Sequence, residues 1–217
     1  MMSEILTYNQ MCRREGRNLQ KGMVFRSPPQ HSVVLMCTRD SAPYPDEYDA
    51  DGYRIRYVGH DPDKAQGKDQ ILIKPSGAFT ENGKFYMAAM AALRGIADPV
   101  PVNVYQKLLP GIWCAVGTHL LTDAWEQIEH GRRVYVFTLE PQEPVQETEV
   151  PHTRSIPSWV RKAVYIRDRG RCAICGSTHN LHFDHIIPFV KGGSSVSPKN
   201  IQLLCAKHNL SKHDRIQ

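Results

Sequence analysis

The sequence predicts an α+β protein in two parts. A small, curved β-barrel domain spans residues 1–140, a zinc-held module spans 157–217, and an extended linker at 141–156 joins them. Three observations predict this. Much of the first 140 residues falls into short runs of apolar or alternating character, broken by Gly and Pro, with one stretch rich in Ala and Met. Residues 140–157, EPQEPVQETEVPHTRSIP, hold four prolines and four glutamates with little apolar content. Near the C-terminus, Cys172–Cys175 and Cys205–His208 have the spacing of two metal-binding knuckles.

The elements follow in order. Residues 1–20 are polar, with apolar positions too sparse to define a helix; a short helix or an ordered arm fits them. Residues 23–25 and 32–37 read as strands separated by Ser27-Pro28-Pro29. A Pro-, Asp- and Tyr-rich loop precedes the alternating run 53–59. Residues 82–90 read as a helix. Residues 102–108, 113–116, 118–125 and 133–139 read as four further strands joined by Gly-containing turns. Beyond the linker, Ser155 and Pro157 open a helix from Trp159 to Arg169 that Gly170 ends.

The chemistry is concentrated after that helix. Three thiolates and one imidazole, from Cys172, Cys175, Cys205 and His208, make a closed tetrahedral set for structural Zn²⁺ with no position left for substrate. Between the knuckles, Asp184-His185 ends a short alternating run. A carboxylate suits a hard divalent cation, and a neutral imidazole is the usual general base near pH 7. Pro188 and Gly192-Gly193 turn the chain, Asn200 precedes the apolar run 201–204, and Asn209 follows the last zinc ligand.

This arrangement resembles an HNH nuclease of the ββα-metal class, in a variant with a final Asn. The resemblance implies His185 as general base and Asp184 as a ligand of the catalytic ion. It implies Asn200 as the residue that ties the loop together, Asn209 as the second metal ligand, and Lys212 as a phosphate contact. Oxygen donors favour Mg²⁺ or Mn²⁺. One such site cuts one strand, so a double-strand break implies a homodimer or two visits.

Charge distribution agrees. Residues 151–217 carry eleven Lys and Arg against three Asp and Glu, while residues 1–150 carry sixteen against nineteen. The basic excess lies where a phosphate backbone would bind. The apolar runs are far shorter than a membrane span, and the N-terminus lacks the apolar region of a signal peptide, so a cytoplasmic protein without membrane contact is expected. Cys12, Cys37 and Cys114 are scattered and read as free thiols of a reducing compartment.

The first part is similar to the SRA (SET- and RING-associated) domain, a PUA-like barrel that reads modified cytosine. Ala42-Pro43-Tyr44-Pro45-Asp46, Asp51-Gly52, Tyr57-Val58-Gly59-His60-Asp61, Asp69-Gln70, Asn82-Gly83, residues 101–105, 111–113 and 123–125 carry the similarity in order. It implies that Tyr44 and Tyr57 sandwich a flipped base and that Asp46 accepts from its exocyclic amino group. Tyr57 on an alternating strand also reads as core, and Asp46 among its acidic neighbours as a solvated loop. The partner implied is double-stranded DNA containing 5-methylcytosine or 5-hydroxymethylcytosine, and the activity that of a modification-dependent restriction endonuclease. Two alternatives are a reader whose zinc module only binds, and an HNH nuclease directed by a hypermodified base, a phosphorothioate or RNA.

Overall fold

One long strand organises the chain. The computed structural model describes residues 4–38, 46–49, 54–61, 68–142 and 154–212. In it β7 (Ile112–Glu129) pairs antiparallel with β6 (Val100–Leu109), β8 (Arg132–Pro141) and β1 (Glu4–Thr7). The two strands expected at 113–116 and 118–125 are therefore one. Gly117 has φ of 123°, open to a residue without Cβ, and the β6 register shifts beside it. A second shift lies between Leu121 and Asp123 on the β8 side. Such bulges bend a strand and let it exchange neighbours along its length.

The remaining strands extend from this centre. β3 (Ser32–Met36) runs parallel to β6, and β2 (Met23–Val24) pairs with β3. β5 (Ile55–Val58) pairs with β8, and β4 (Glu47–Tyr48) with β5. The expected barrel does not close. Among the described residues β2 and β4 each have a partner on one side only, so the sheet stays open.

Two helices cover parts of this sheet. α2 (Glu81–Leu93) is longer than the predicted helix. The Thr80 hydroxyl caps its first turn, accepting from Gly83 N at 3.0 Å. It buries Phe85 and Ala89 in a core with Val34, Ile55, Tyr57, Val102, Leu121 and Phe137. α1 (Tyr8–Glu15) follows β1 directly and is held by a reciprocal capping box between Thr7 and Gln10.

The C-terminal part consists of α3 (Ser158–Arg167), the antiparallel hairpin β9 (Leu181–His185) and β10 (Ile201–Cys205), and α4 (Ala206–Lys212). It is not a separate bead on a tether. Glu4 of β1 pairs with His182 of β9, so one sheet of ten strands runs through both parts. Leu108 and Cys114 from β6 and β7 share a buried cluster with Val160, Val164, Leu181, Phe183, Ile201 and Leu203. Each such side chain contributes about 1.5–3 kcal/mol on burial. Among the described residues no helix is long and apolar enough to cross a membrane.

Candidate active site and metal cluster

The hairpin and its two flanking turns bring the knuckles together. Gly176 N donates to Cys172 O at 2.9 Å and Cys172 N to Ser177 O at 2.8 Å, closing the first turn, while Ala173 N donates to Leu203 O on β10. The second knuckle straddles the junction of β10 and α4. As a result the ligand atoms of Cys172, Cys175, Cys205 and His208 all lie within 4.8 Å of one another. His208 Nδ1 is 3.4 Å from Cys172 Sγ and 3.3 Å from Cys205 Sγ, and Cys175 Sγ is 3.9 Å from Cys205 Sγ. A tetrahedron with Zn–S of about 2.3 Å and Zn–N of about 2.0 Å has edges of about 3.5–3.8 Å. The donor set fits a structural zinc ion.

Electrostatics point the same way. Burial pushes the Cys172 thiol up, but hydrogen bonds from the backbone at Cys205, Cys175 and Ile174 and from His208 outweigh it and bring it down to about 6. A thiol so prepared gives up its proton to a metal at neutral pH.

Asp184 and His185 stand at the end of β9, opposite Gln202 and Ile201 of β10. Asn200 ends the short turn just before β10 and grips the intervening loop. Its Oδ1 accepts from Ile187 N at 2.9 Å, and its Nδ2 donates to Ile187 O at 3.2 Å and to Ser194 O at 3.0 Å. Gly193 makes this grip possible, because a Cβ there would lie 1.8 Å from Ile187 O and 2.8 Å from Asn200 Nδ2. The loop so held delivers Ser195, which is 3% exposed, to His185, with Oγ 2.8 Å from Nε2.

Asn209 and Lys212 are both buried on α4, which packs on β9 and β10. Lys212 does not offer its charge to solvent as expected of a phosphate contact. Its Nζ lies 2.8 Å from Asp184 Oδ2 and also donates to His185 O. The long stem of Lys reaches inward because a carboxylate and a carbonyl are there to meet it. Gln202 Nε2 also approaches Asp184 Oδ2, at 3.5 Å. The carboxylate of Asp184 and the amide oxygen of Asn209 are hard donors of the kind that hold Mg²⁺ or Mn²⁺.

In the first part, the expected base-binding residues fare differently. Tyr44 lies outside the described residues. Tyr57 is 3% exposed, belongs to the core with Phe85 and Phe137, and donates its hydroxyl to Gly22 O at 2.7 Å. A ring placed like this is packed as part of the core. Asp46 is not in a solvated loop. It is buried, and its two oxygens accept from Cys37 N at 2.7 Å and Val58 N at 3.0 Å. Burial pushes its carboxyl up to about 7, against the lowering effect of those two bonds and of Arg56.

Sequence reasoning missed Ser195 and the inward turn of Lys212. The only signal for Ser195 was a hydroxyl pair, Ser194-Ser195, after the two glycines.

Residues 172–215 match the family model described as HNH endonuclease. Among curated protein sequences none matches the chain. Among solved structures, an SRA domain of SUVH5 in complex with fully methylated CG DNA is 19% identical, with a TM-score of 0.47, over 66% of this chain and 89% of that one. KRYPTONITE in complex with mCHH DNA, a histone peptide and SAH is 19% identical over 68% of this chain and 33% of that one, with a TM-score of 0.45. The Type IV phosphorothioation-dependent restriction endonuclease ScoMcrA is 16% identical, with a TM-score of 0.44, and the match spans 98% of this chain and 56% of that one. The segment that assembles the Cys₃His cluster, Asp184, His185 and Asn200 is an HNH endonuclease domain.

Proposed function

We propose that the chain is a modification-dependent restriction endonuclease. Residues 1–140 read 5-methylcytosine or 5-hydroxymethylcytosine in double-stranded DNA by flipping the base, residues 141–156 connect, and residues 157–217 hydrolyse a phosphodiester nearby. The observation that carries the nuclease half is the placement of Asp184 and His185 at one hairpin end, braced by Asn200 and Lys212 beside the Cys₃His cluster. The reading of the first half rests on the ordered sequence similarity to SRA domains.

In this reading His185 takes a proton from water, the water oxygen bonds to phosphorus, and the bond to the 3′ oxygen breaks, that oxygen taking a proton from solvent to leave 5′-phosphate and 3′-hydroxyl ends. On the same reading Nε2–H of His185 donates to Ser195 Oγ, which leaves the lone pair on Nδ1 to take the proton. Asp184 and Asn209 are the residues that would hold one divalent ion, whose charge, when bound, offsets that developing on the phosphoryl oxygens. Zinc at the four knuckle residues holds the hairpin against α4 and takes no part in the reaction. Two copies of the chain together would make a double-strand break.

The test is one DNA duplex prepared unmodified, 5-methylated, 5-hydroxymethylated and phosphorothioated, incubated with the protein and Mg²⁺ or Mn²⁺. Metal-dependent cleavage confined to the cytosine-modified duplexes is the expected result. Cleavage only of the phosphorothioate duplex, or of all four alike, would overturn the assignment to modified cytosine. Binding without cleavage would overturn the nuclease.

A further inference from the structure

The helix that opens the nuclease domain carries a charge that points away from it. Arg161 on α3 is 1% exposed. Its Nη1 donates to Gln106 Oε1 on β6 at 2.7 Å and to the Tyr48 hydroxyl on β4 at 3.3 Å, and its guanidinium carbon is 6.0 Å from the centre of the Tyr48 ring. Both acceptors belong to the N-terminal sheet. Both are neutral, and among the described residues no carboxylate pairs with Arg161. Its charge is felt in the sheet as well. Burial, together with the nearby guanidinium, pushes His119 of β7 down to about 4, against the raising effect of the Gly117 backbone.

A desolvated cation without a counter-ion is a poor source of stability. What it provides is direction. Acceptors from two strands converge on its Nη1 while its buried Nε has no hydrogen-bond partner among the described residues, so a shift of α3 would break both bonds, whereas the apolar contacts around Val160 and Val164 would tolerate sliding. The placement is passed on. Six residues along the same helix, Arg167 donates to Pro198 O at 2.6 Å and Ile201 O at 2.7 Å, and the adjoining Asp168 accepts from Leu203 N at 2.9 Å. These bonds seize β10, whose partner β9 ends in Asp184 and His185. At the other end, Tyr48 is two residues from Asp46.

We propose that Arg161 is a positioning residue whose buried guanidinium registers the nuclease domain on the N-terminal sheet, so that the cut falls at a fixed offset from the recognised base. The offset rests on the reading of the N-terminal part as a modified-base reader; the register itself does not. A nuclease hanging on residues 141–156 alone would cut anywhere within the tether's reach.

The experiment uses the full chain and an end-labelled duplex with a single 5-methylcytosine, with cuts mapped at nucleotide resolution. One variant carries about ten Gly and Ser residues inserted between Glu147 and Thr148, which would lengthen the root-mean-square reach of a free tether of residues 141–156 from about 22 Å to about 28 Å. The expected result is a narrow set of cut positions that the insertion leaves in place and that Arg161→Ala spreads over several base pairs. Cut positions that widen with the insertion, or that Arg161→Ala leaves unchanged, would overturn the proposal. Small-angle scattering of the same three proteins without DNA keeps the two readings apart. A largest dimension shared by the parent and the insertion variant, and increased by Arg161→Ala, supports the register even if cleavage ignores the modification and the reader assignment fails. Growth of that dimension on insertion, or none in Arg161→Ala, overturns the register.

Discussion

Ser195 Oγ stands 2.8 Å from His185 Nε2, at the end of a loop that Asn200 clamps on both sides. The contact occupies one imidazole nitrogen, and in the proposed mechanism the other takes the proton. Ser195→Ala removes a hydrogen bond of about 1 kcal/mol, and the cleavage rate is expected to fall about fivefold with DNA affinity retained. His185→Ala is expected to cost about 10²–10⁴ in rate with affinity likewise retained. The check is single-turnover cleavage beside a binding isotherm for each variant. A pH–rate profile that shifts in Ser195→Ala distinguishes a role in setting the imidazole from a role in packing alone.

Removing ligands of the Cys₃His cluster and removing the Asp184 carboxylate should have different signatures. Cys172→Ser and Cys205→Ser are expected to unfold the C-terminal part and release its zinc, because the metal contributes folding free energy there. Asp184→Ala should keep its zinc, yet it strands the buried ammonium of Lys212 and should lose about 3–5 kcal/mol. Adding Lys212→Met to Asp184→Ala should restore much of the melting temperature without restoring cleavage. Zinc content per chain and thermal unfolding of the four variants test this.

Tyr57 is expected to behave as a core residue. Tyr57→Ala opens a cavity beside Phe85 and Phe137 and should cost about 3–5 kcal/mol, lowering activity on every DNA alike. Tyr57→Phe loses only the bond to Gly22 O, worth about 1 kcal/mol, and should keep whatever ratio of modified to unmodified cleavage the parent has. A ratio that collapses in a stably folded Tyr57→Leu protein, which keeps apolar bulk but has no ring to stack, would return Tyr57 to the base site.

Asp46 supplies a pH test. Its carboxyl is raised in the folded chain to about 7, so between the ordinary carboxylate range and that value the folded state holds a proton that the unfolded state has lost. Stability from this group is greatest at low pH and declines as pH rises through the window, by up to about 1.4 kcal/mol per pH unit. Subtracting Asp46→Asn from the parent, in denaturant titrations at matched pH, isolates it from the acid sensitivity of the zinc cluster. A difference that grows in favour of the parent as pH rises would contradict the burial of Asp46.

Much of the candidate site was legible because its signals are local. A knuckle is a pair of ligands within one turn, and the order of Asp184, His185, Asn200 and Asn209 survives whatever the surrounding fold does. The residues that orient these groups were not legible in the same way. Lys212 has the composition of a surface contact, and only the tertiary position of Asp184 turns it inward. In the sheet, Gly117 reads as a turn between two strands, whereas pairing on both edges carries β7 straight through it. The Thr7–Gln10 capping box was present in the sequence and would have found α1. Nothing local marks β1, whose four residues become a strand only against β7 and β9.

That small strand bears on how the chain assembles. Glu4 reaches His182 across nearly the whole sequence, and contacts of such separation form late, since the loop they close must first lose its conformational freedom. During synthesis the N-terminal sheet can collapse early, while the hairpin holding His185 finds its bracing strand only after its own residues have emerged. On the proposed reading, the hydrolytic site would then form only after the part that reads the base.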